Sequence, residues 1–580
     1  MTKPLNQALL VFSLLGICLF YNALDNPFHY DDHHSIEHNK HLRSLANIPQ
    51  FFVDPGTFSS ERRGTMFRPL LLSSYAINYA VHGNSVIGYR MVNIAIHVLC
   101  AGLFFSLVYR WGGRLREAWA AGLLFLLHPL HGEPVNYISS RSDLLVSLFY
   151  LLALCQAGRP CSGWLAYAAA LLTKSVAISL PIAAGVWTWS NGGVQRLQRR
   201  YFAGLFLLSG LYLATIIANR FLSSSLSKAP RSFDLNLWTQ GKALVYYLWL
   251  YCMPRVLSVE HPFTVAQSLW DPPVILAGLL LLSLGWVAVV GRRRIESLAF
   301  AFFVLVMLPT TLMPLNILVS ERRSYLASAG LIGIAVWAWG RLASRRRGWG
   351  WVTGVCMCVF MVLIGWARNP VWASDITLWE DAVAKGPGMF RARANLGLAY
   401  GKEERHQEAI VQFEQALAIK GDFADAWVEL GNTYHELGQL ERAEQAYRRA
   451  LALNPSIEGV YYNLGNLALG RGHVPSAIRL YRETLTRNPH FANAHNNLGQ
   501  ALEKSGDLTT AMRHYQQAVE NDPDLGGAWF NLGTVSERLG QVQMALNAFR
   551  RAHQILSTMA EHQIFANRAQ QAIERLEGVF

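Results

Sequence analysis

Two adjacent aspartates, Asp31 and Asp32, stand in the run Phe28-His29-Tyr30-Asp31-Asp32-His33-His34, just past the first apolar stretch of the chain. Neighbouring carboxylates close to a bilayer surface repel each other and are partly desolvated, which raises the pKa of at least one. A carboxylate so placed can take the proton of a hydroxyl as that hydroxyl attacks a sugar carbon. The plainer alternative is a helix cap or a solvated turn. Further ionisable residues flank other apolar stretches: His131 and Glu133, Arg141 and Asp143, Lys174, the run Glu321-Arg322-Arg323-Ser324-Tyr325, and Arg63 and Arg68 in the first polar loop. At membrane depth such groups are costly and usually line a polar cavity. Arg322, Arg323, Lys174, Arg63 and Arg68 are the cations expected to hold a donor phosphate and stabilise it as it leaves. His131, Glu133, Arg141, Asp143, Glu321 and Tyr325 are expected to support them. Snorkelling arginines and loop salt bridges are the alternative.

His33, His34, His38 and His41, with Glu37 among them, invite a divalent-metal reading, since His34 and His38 would share a helical face. No HExxH or Cys/His box accompanies them, so a hydrogen-bonded histidine cluster is expected rather than a cofactor.

These residues must be held by elements that suit a membrane. Of the 580 residues, 52% are hydrophobic and 15% charged, against about 25% charged in soluble domains. Residues 1–367 carry 30 Lys/Arg against 14 Asp/Glu, while 368–580 carry 21 against 24. The net charge of +13 thus belongs to the apolar part, in short arginine clusters between apolar runs. That pattern excludes a nucleic-acid-binding face, a secreted disulfide scaffold and a disordered chain. All seven cysteines lie in or beside apolar runs without a CxxC pair, so neither a disulfide framework nor a thiolate metal site is expected.

Apolar runs at about 5–22, 86–109, 117–131, 143–157, 162–173, 175–190, 201–217, 273–290, 297–315, 325–340 and 350–367 predict eleven spans. The run 238–253 is read as a half-inserted or surface helix. Arginine collects after the second span (Arg110, Arg114, Arg116), the sixth (Arg196, Arg199, Arg200), the eighth (Arg292–Arg294) and the tenth (Arg341, Arg345–Arg347). By the positive-inside rule these exits are cytoplasmic, and the loop 23–85 and everything after Arg368 lie outside.

From residue 390 the pattern changes. Gly397, Gly431, Gly465, Gly499 and Gly533 recur every 34 residues, each after a Leu. An Ala follows twelve residues later (Ala409, Ala443, Ala477, Ala511, Ala545), and an aromatic four beyond that (Phe413, Tyr447, Tyr481, Tyr515, Phe549). This is the tetratricopeptide pattern. Gly and Ala let two helices approach closely, and the aromatic is expected to fill the groove against the next unit. Two positions before each Gly stand Asn395, Glu429, Asn463, Asn497 and Asn531. Asparagines there face the concave groove and can bond a peptide backbone, which resembles the asparagine ladder of the cytosolic O-linked N-acetylglucosamine transferase. The alternative is a sequence habit of the repeat, with Asn capping or solvated.

Five segments recur in an order that resembles the transmembrane and tetratricopeptide-repeat-containing O-mannosyltransferases and their bacterial relatives. They are Tyr30-Asp31-Asp32, Phe67-Arg68-Pro69-Leu70, His128-Pro129 through Glu133-Pro134-Val135, Arg141-Ser142-Asp143-Leu144-Leu145, and Ser320 through Tyr325. The bridge Arg368-Asn369-Pro370-Val371-Trp372 to Leu378-Trp379 is also similar. The resemblance implies an all-α, polytopic, C-fold inverting glycosyltransferase using a polyprenyl-phosphate-linked sugar, with Asp31 at the family's catalytic acid position and Asp32 beside it. The chain departs from the family at Lys174-Ser175 and around Glu321.

The expected organisation is a membrane domain over 1–367, a linker helix over 368–389, five repeats over 390–559 and a cap helix over 560–580. The expected function is sugar transfer to a hydroxyl, on protein Ser/Thr in the first instance. The repeats would recruit a protein acceptor or partner, and no nucleic acid is involved. An inactive repeat scaffold and a lipid-linked-sugar transporter are the alternatives. The absence of Asn-x-Ser/Thr sequons (x other than Pro) points to a bacterial inner membrane with the repeats on the periplasmic side.

Overall fold

The computed structural model of the chain describes residues 2–60, 66–111, 113–157, 159–190, 196–219, 230–290, 295–345, 347–558 and 562–578. Every regular element among them is helical, as expected. The chain divides into two compact units, Met1–Gly388 and Met389–Phe580.

The first unit contains α1 (Thr2–Phe20), α2 (Pro69–His82), α3 (Val86–Arg110), α4 (Leu115–Leu127), α5 (Arg141–Cys155), α6 (Pro160–Leu171), α7 (Leu180–Ser190), α8 (Arg196–Ala218), α9 (Phe233–Cys252), α10 (Pro272–Val290), α11 (Ile295–Leu312), α12 (Ser328–Arg345), α13 (Arg347–Arg368) and α14 (Asp375–Lys385), joined by shorter turns. Among the described residues, five helices are long and apolar enough to cross a membrane: Lys3–Ala23, Val86–Arg110, Ile138–Cys155, Arg199–Ala218 and Val352–Trp372. These are the helices of a multi-pass membrane protein; among the described residues five candidate spans meet both length and apolarity, not the expected eleven. Shorter apolar helices lie at Ser175–Val186, Pro272–Val287 and Ser297–Leu312.

The shortfall has a local cause. Helices α4 and α6 have 13 and 12 residues, or roughly 20 and 18 Å, against a hydrocarbon core of about 30 Å. Pro129 forces His128 into an extended conformation (φ −65°, ψ 125°), which ends α4 at Leu127 and puts His131 in the 3₁₀ turn Pro129–His131. The run 175–190 opens with the 3₁₀ turn Ser175–Ser179 before α7 begins. The run 238–253 lies within α9, which buries Asn236, Thr239 and Gln240 on its inner face. Asn236 Nδ2 donates to Thr311 O (2.8 Å), one of the carbonyls left free where α11 ends.

Helix α3 is the spine of this unit, packed against α1, α4 and α5. The α1 contact is close because Gly102 has no side chain: a Cβ there would come within 2.5 Å of Leu9 Cδ2. At its first turn α3 carries the buried Arg90, which donates to Leu24 O (2.9 Å), Asn26 O (2.7 Å) and Asn136 O (3.2 Å). One guanidinium thereby joins the loop after α1 to the loop before α5. Helix α14, with its capping box of Ser374 and Thr377, belongs to the same unit. Its Leu378 clusters with Trp372 and Tyr137.

The second unit is five helix pairs, α15 (Phe390–Lys402) to α24 (Val542–Leu556), closed by α25 (Gln563–Glu577). A Cβ on Gly431, Gly465 or Gly499 would lie 2.6 Å from Cε1 of Tyr447, Tyr481 or Tyr515. The aromatic therefore covers the glycine of its own unit, and its hydroxyl end also reaches the next unit, Tyr447 to Asn463 and Tyr481 to Asn497. Ala566, Ala569, Ile573 and Leu576 of α25 cover Phe549 and Leu556, so the last pair is not left exposed.

Candidate active site

The two aspartates separate sharply. The chain turns at Tyr30, whose φ of +45° is unusual for an aromatic residue. Beyond the turn Asp32 is fully buried, and it accepts from Ser139 N (2.6 Å), Ser139 Oγ (2.5 Å) and His29 N (3.1 Å). Burial raises its pKa despite these bonds. Asp31 keeps 39% of its side chain exposed, with Oδ1 3.4 Å from His34 Nε2. Burial alone would raise its pKa, but His34, Arg322 and Tyr137 together hold it below the ordinary carboxylate value. The raised group is thus Asp32, through burial, and Asp31 is the ionised, accessible one.

Four loops converge here. Arg322 N donates to Glu133 Oε2 (3.1 Å), its Nε lies 3.6 Å from Glu133 Oε1, and its guanidinium sits 5.1 Å over the Tyr137 ring. Tyr137 OH in turn accepts from Asp31 N (3.1 Å). Burial would lower the Arg322 pKa, but Glu133, Tyr137, Asp143 and Asp31 raise it. Burial also pushes Glu133 up to about 7, against the pull of Arg322. Lys174 Nζ donates to Asp143 Oδ1 at 2.6 Å. Burial pulls Lys174 down to about 8, with Asp143 opposing. Arg68 is lowered by burial and interacts electrostatically with Asp143 and Arg322. Asp31, Arg322, Glu133, Lys174, Asp143 and Arg68 therefore form one cluster of carboxylates and cations. Arg63 lies outside the described residues.

Arg323 also interacts electrostatically with Arg322, Asp143 and Glu133 of the cluster, while its Nη1 donates to Ile317 O (2.7 Å). The remaining expected residues brace the loops around it. His131 is buried, its rings' nitrogens on Phe125 O (2.6 Å) and Ser328 Oγ (3.0 Å). Tyr325 OH bonds His97 Nδ1 at 2.6 Å in the core. Arg141 is fully buried and donates to Asn93, Asn78 and Tyr89. Glu321 accepts from Ser258 N (2.6 Å) and lies 3.3 Å from His261 Nε2.

His34 and His38 do not share a face. The segment His33–Glu37 winds as a π turn, with His38 N donating to His33 O (2.8 Å). His38 consequently stacks on His33, while His34 faces Asp31 and Ser59. Among the described residues no group of three or more His, Cys, Asp or Glu is arranged to hold a metal ion.

Sequence reasoning missed Tyr137, Ser139, His29 and Asp375. His29 Nδ1 bonds Asp375 Oδ1 (2.8 Å) and Nε2 lies on Trp372 O (2.8 Å), so α14 anchors the base of the aspartate loop. No spacing pattern links positions 346 residues apart.

On the repeat unit, Asn463 Nδ2 donates to Asn432 Oδ1, Asn497 Nδ2 to Asn466 Oδ1 and Asn531 Nδ2 to Asn496 Oδ1, all at 2.9 Å. The asparagines thus staple the third, fourth and fifth units each to the one before it. Asn395, in the first unit, is half-buried. A groove of about 350 Å³ is lined by Lys402, Glu429, Asn432, Glu436, Tyr447 and Asn463. Glu429, where the other units have Asn, is pushed up by burial.

Family profiles described as tetratricopeptide or TPR repeat match residues 397–438, 424–457, 462–526 and 514–547. In the solved structure of YrrB, a TPR protein, 97% of that chain aligns with 33% of this one at 19% identity and a TM-score of 0.28. The human protein O-mannosyl-transferase TMTC2 is 35% identical over 154 residues, 25% of this chain and 18% of its own. Protein O-mannosyl-transferase F38B6.6 of Caenorhabditis elegans is 23% identical over 442 residues, and human TMTC4 is 25% identical over 471. These two alignments cover 71% and 67% of this chain but only 62% and 63% of the relatives. All three relatives are animal proteins, so the bacterial placement rests on the missing sequons alone. The chain is distantly similar, across both units, to animal proteins named O-mannosyl-transferases.

Proposed function

We propose that the chain transfers a sugar from a polyprenyl-phosphate donor to a hydroxyl acceptor, with inversion at the sugar carbon. The observation that carries this reading is the half-exposed Asp31 carboxylate, held ionised beside the cation cluster of Arg322, Lys174 and Arg68. In the proposed reaction the acceptor oxygen forms a bond to the anomeric carbon as its proton passes to Asp31. The bond from that carbon to the phosphate oxygen breaks, and its electron pair leaves with the polyprenyl phosphate. Arg322, with Lys174 and Arg68, offsets the charge growing on the leaving phosphate. Asp32, on this reading, fixes the loop and takes no proton.

The repeats, in the same reading, supply binding to a protein acceptor or partner rather than chemistry, and lie on the same, non-cytoplasmic side of an inner membrane. The similarity to O-mannosyl-transferases supports the transferase class and makes mannose the first donor sugar to try. Membranes holding the full-length protein, supplied with labelled polyprenyl-phosphate sugars, test the proposal. Transfer that Asp31→Asn reduces by about 10² or more is expected of a general base. No transfer by the wild type from any donor would favour an inactive repeat scaffold instead.

A further inference from the structure

A mostly apolar cleft runs along α12. A cleft of about 300 Å³ follows that helix from Ala329 to Ser344, fifteen residues or roughly 22 Å. Its walls are apolar, with Leu107, Leu154, Phe302, Leu305 and Val336 facing the space. At one end the lining becomes basic: Arg114, Arg116 and Arg341 stand there with a single carboxylate, Glu117. Glu117 is already engaged, since its Oε2 accepts from Arg114 N (3.0 Å). Arg341 stacks its guanidinium 5.0 Å over the Trp337 ring, which orients it at the rim.

Arg116 is the informative residue. Its Nε and Nη2 are buried, and among the described residues neither has a hydrogen-bond partner. A buried cationic donor without an acceptor is costly, and an anion with several acceptor oxygens relieves it. This end is remote from Asp31. Arg90, at the start of α3, holds the loop after α1, while Leu107, seventeen residues along the same helix and roughly 25 Å away, lines the cleft.

We propose that the cleft binds a phosphate-headed membrane lipid, its phosphate on Arg116, Arg114 and Arg341 and one hydrocarbon chain along α12. Two features argue for that occupant together. The basic end complements a phosphate, and the long apolar walls suit a chain and offer water no partners. A donor lipid headed at the Asp31 cluster would leave the Arg116 nitrogens unsatisfied.

Native mass spectrometry of the full-length protein, released from detergent with dioleoyl phosphatidic acid, dioleoyl phosphatidylcholine or inorganic phosphate, tests this. Wild type should retain phosphatidic acid over phosphatidylcholine by about tenfold or more, and Arg116→Gln should remove that preference. Arg116→Gln deletes no hydrogen bond of Nε or Nη2, so it should fold. Gly333→Leu, which fills the cleft wall, should lower retention of either lipid. Should it fail to fold, the Arg116→Gln comparison decides. Displacement of the lipid by inorganic phosphate at equal concentration would reduce the site to a free-anion site and overturn the proposal. So would retention blocked by Gly333→Leu yet unchanged by Arg116→Gln, which would assign the cleft to the tail of a lipid headed elsewhere.

Discussion

Replacing Asp31 and Asp32 one at a time with Asn should give opposite phenotypes, although the two residues are neighbours of the same type. At Asp31 the amide keeps the shape of the carboxylate and its reach toward His34 Nε2, 3.4 Å away. It cannot take a proton. If the acceptor hydroxyl is activated there, turnover should drop by about 10²–10⁴, with the Michaelis constant for the donor nearly unchanged, because Asp31 makes no donor-phosphate contact in the proposed site. Thermal stability should change little, since a good part of the side chain is exposed. At Asp32 the carboxylate gathers three donors, two from Ser139 and one from His29. An amide can present its oxygen to Ser139 or to His29 but not to both, so at least one buried N–H or O–H is left facing an NH₂. That costs about 1–3 kcal/mol, which should appear as a lower unfolding temperature. The assays are initial-rate transfer from a labelled polyprenyl-phosphate sugar and circular-dichroism melting of the purified protein. Asp31→Asn that keeps more than about a tenth of wild-type turnover would refute the base assignment. Asp32→Asn that loses turnover while melting like wild type would show that the roles are reversed.

Lys174 is pulled down to about 8 by burial, so it carries its charge below that pH and sheds it above. Transfer per unit donor (kcat/KM) should therefore fall as pH rises through about 8, and Lys174→Arg, whose guanidinium stays charged, should move that fall upward; identical profiles would remove Lys174 from phosphate binding. Changing Asn463, Asn497 and Asn531 together to Ala should raise the Michaelis constant for a protein acceptor and spare a short soluble hydroxyl acceptor. Because each amide also bonds the preceding unit, the triple variant should lose about 0.5–1.5 kcal/mol of stability per bond, and an unchanged melt would mean these bonds do not form. Gly499→Ala sets a methyl 2.6 Å from Tyr515 Cε1 and should destabilise the repeats by about 1–3 kcal/mol, read by the repeat transition of a full-chain melt. A reporter fused at the C-terminus should be active only when exported, and one inserted after Trp111 only in the cytoplasm; the opposite pair of results would invert the proposed topology.

How much of this was readable in the chain follows from where the constraints act. The repeats were readable to the residue, because a 34-residue period forces the same Gly and aromatic contact in every unit and leaves a regular trace. What periodicity could not say is the direction of that contact. The aromatic lies on its own glycine, sixteen positions back, as well as reaching the next unit, and only packing reveals the first contact. The membrane helices were readable as helices but not as spans. Apolarity fixes which segments seek lipid or core, while Pro129 and the 3₁₀ turn after Lys174 set where the helices stop. Composition averages over both.

The candidate site illustrates a sharper limit. Asp31 and Asp32 share their neighbours in sequence, and nothing in residue type distinguishes them. Their environments are set by the turn that gives His29 N–H to one and His34 to the other, and by Ser139, more than a hundred residues away, and Arg322, nearly three hundred away. Electrostatics then amplifies the difference. Burial against fixed donors raises one carboxyl, while His34 and then the Arg322 guanidinium outweigh burial and lower the other. The same logic sorts the arginines. Arg141 and Arg90 spend their donors on backbone carbonyls and side-chain amides and so act as braces, whereas Arg322 sits on a carboxylate and an aromatic ring beside an accessible base. A list of ionisable residues at apolar-run boundaries is therefore a list of candidates for two jobs. The fold assigns each job by deciding whether a charge meets neutral acceptors or another charge with room left for a substrate.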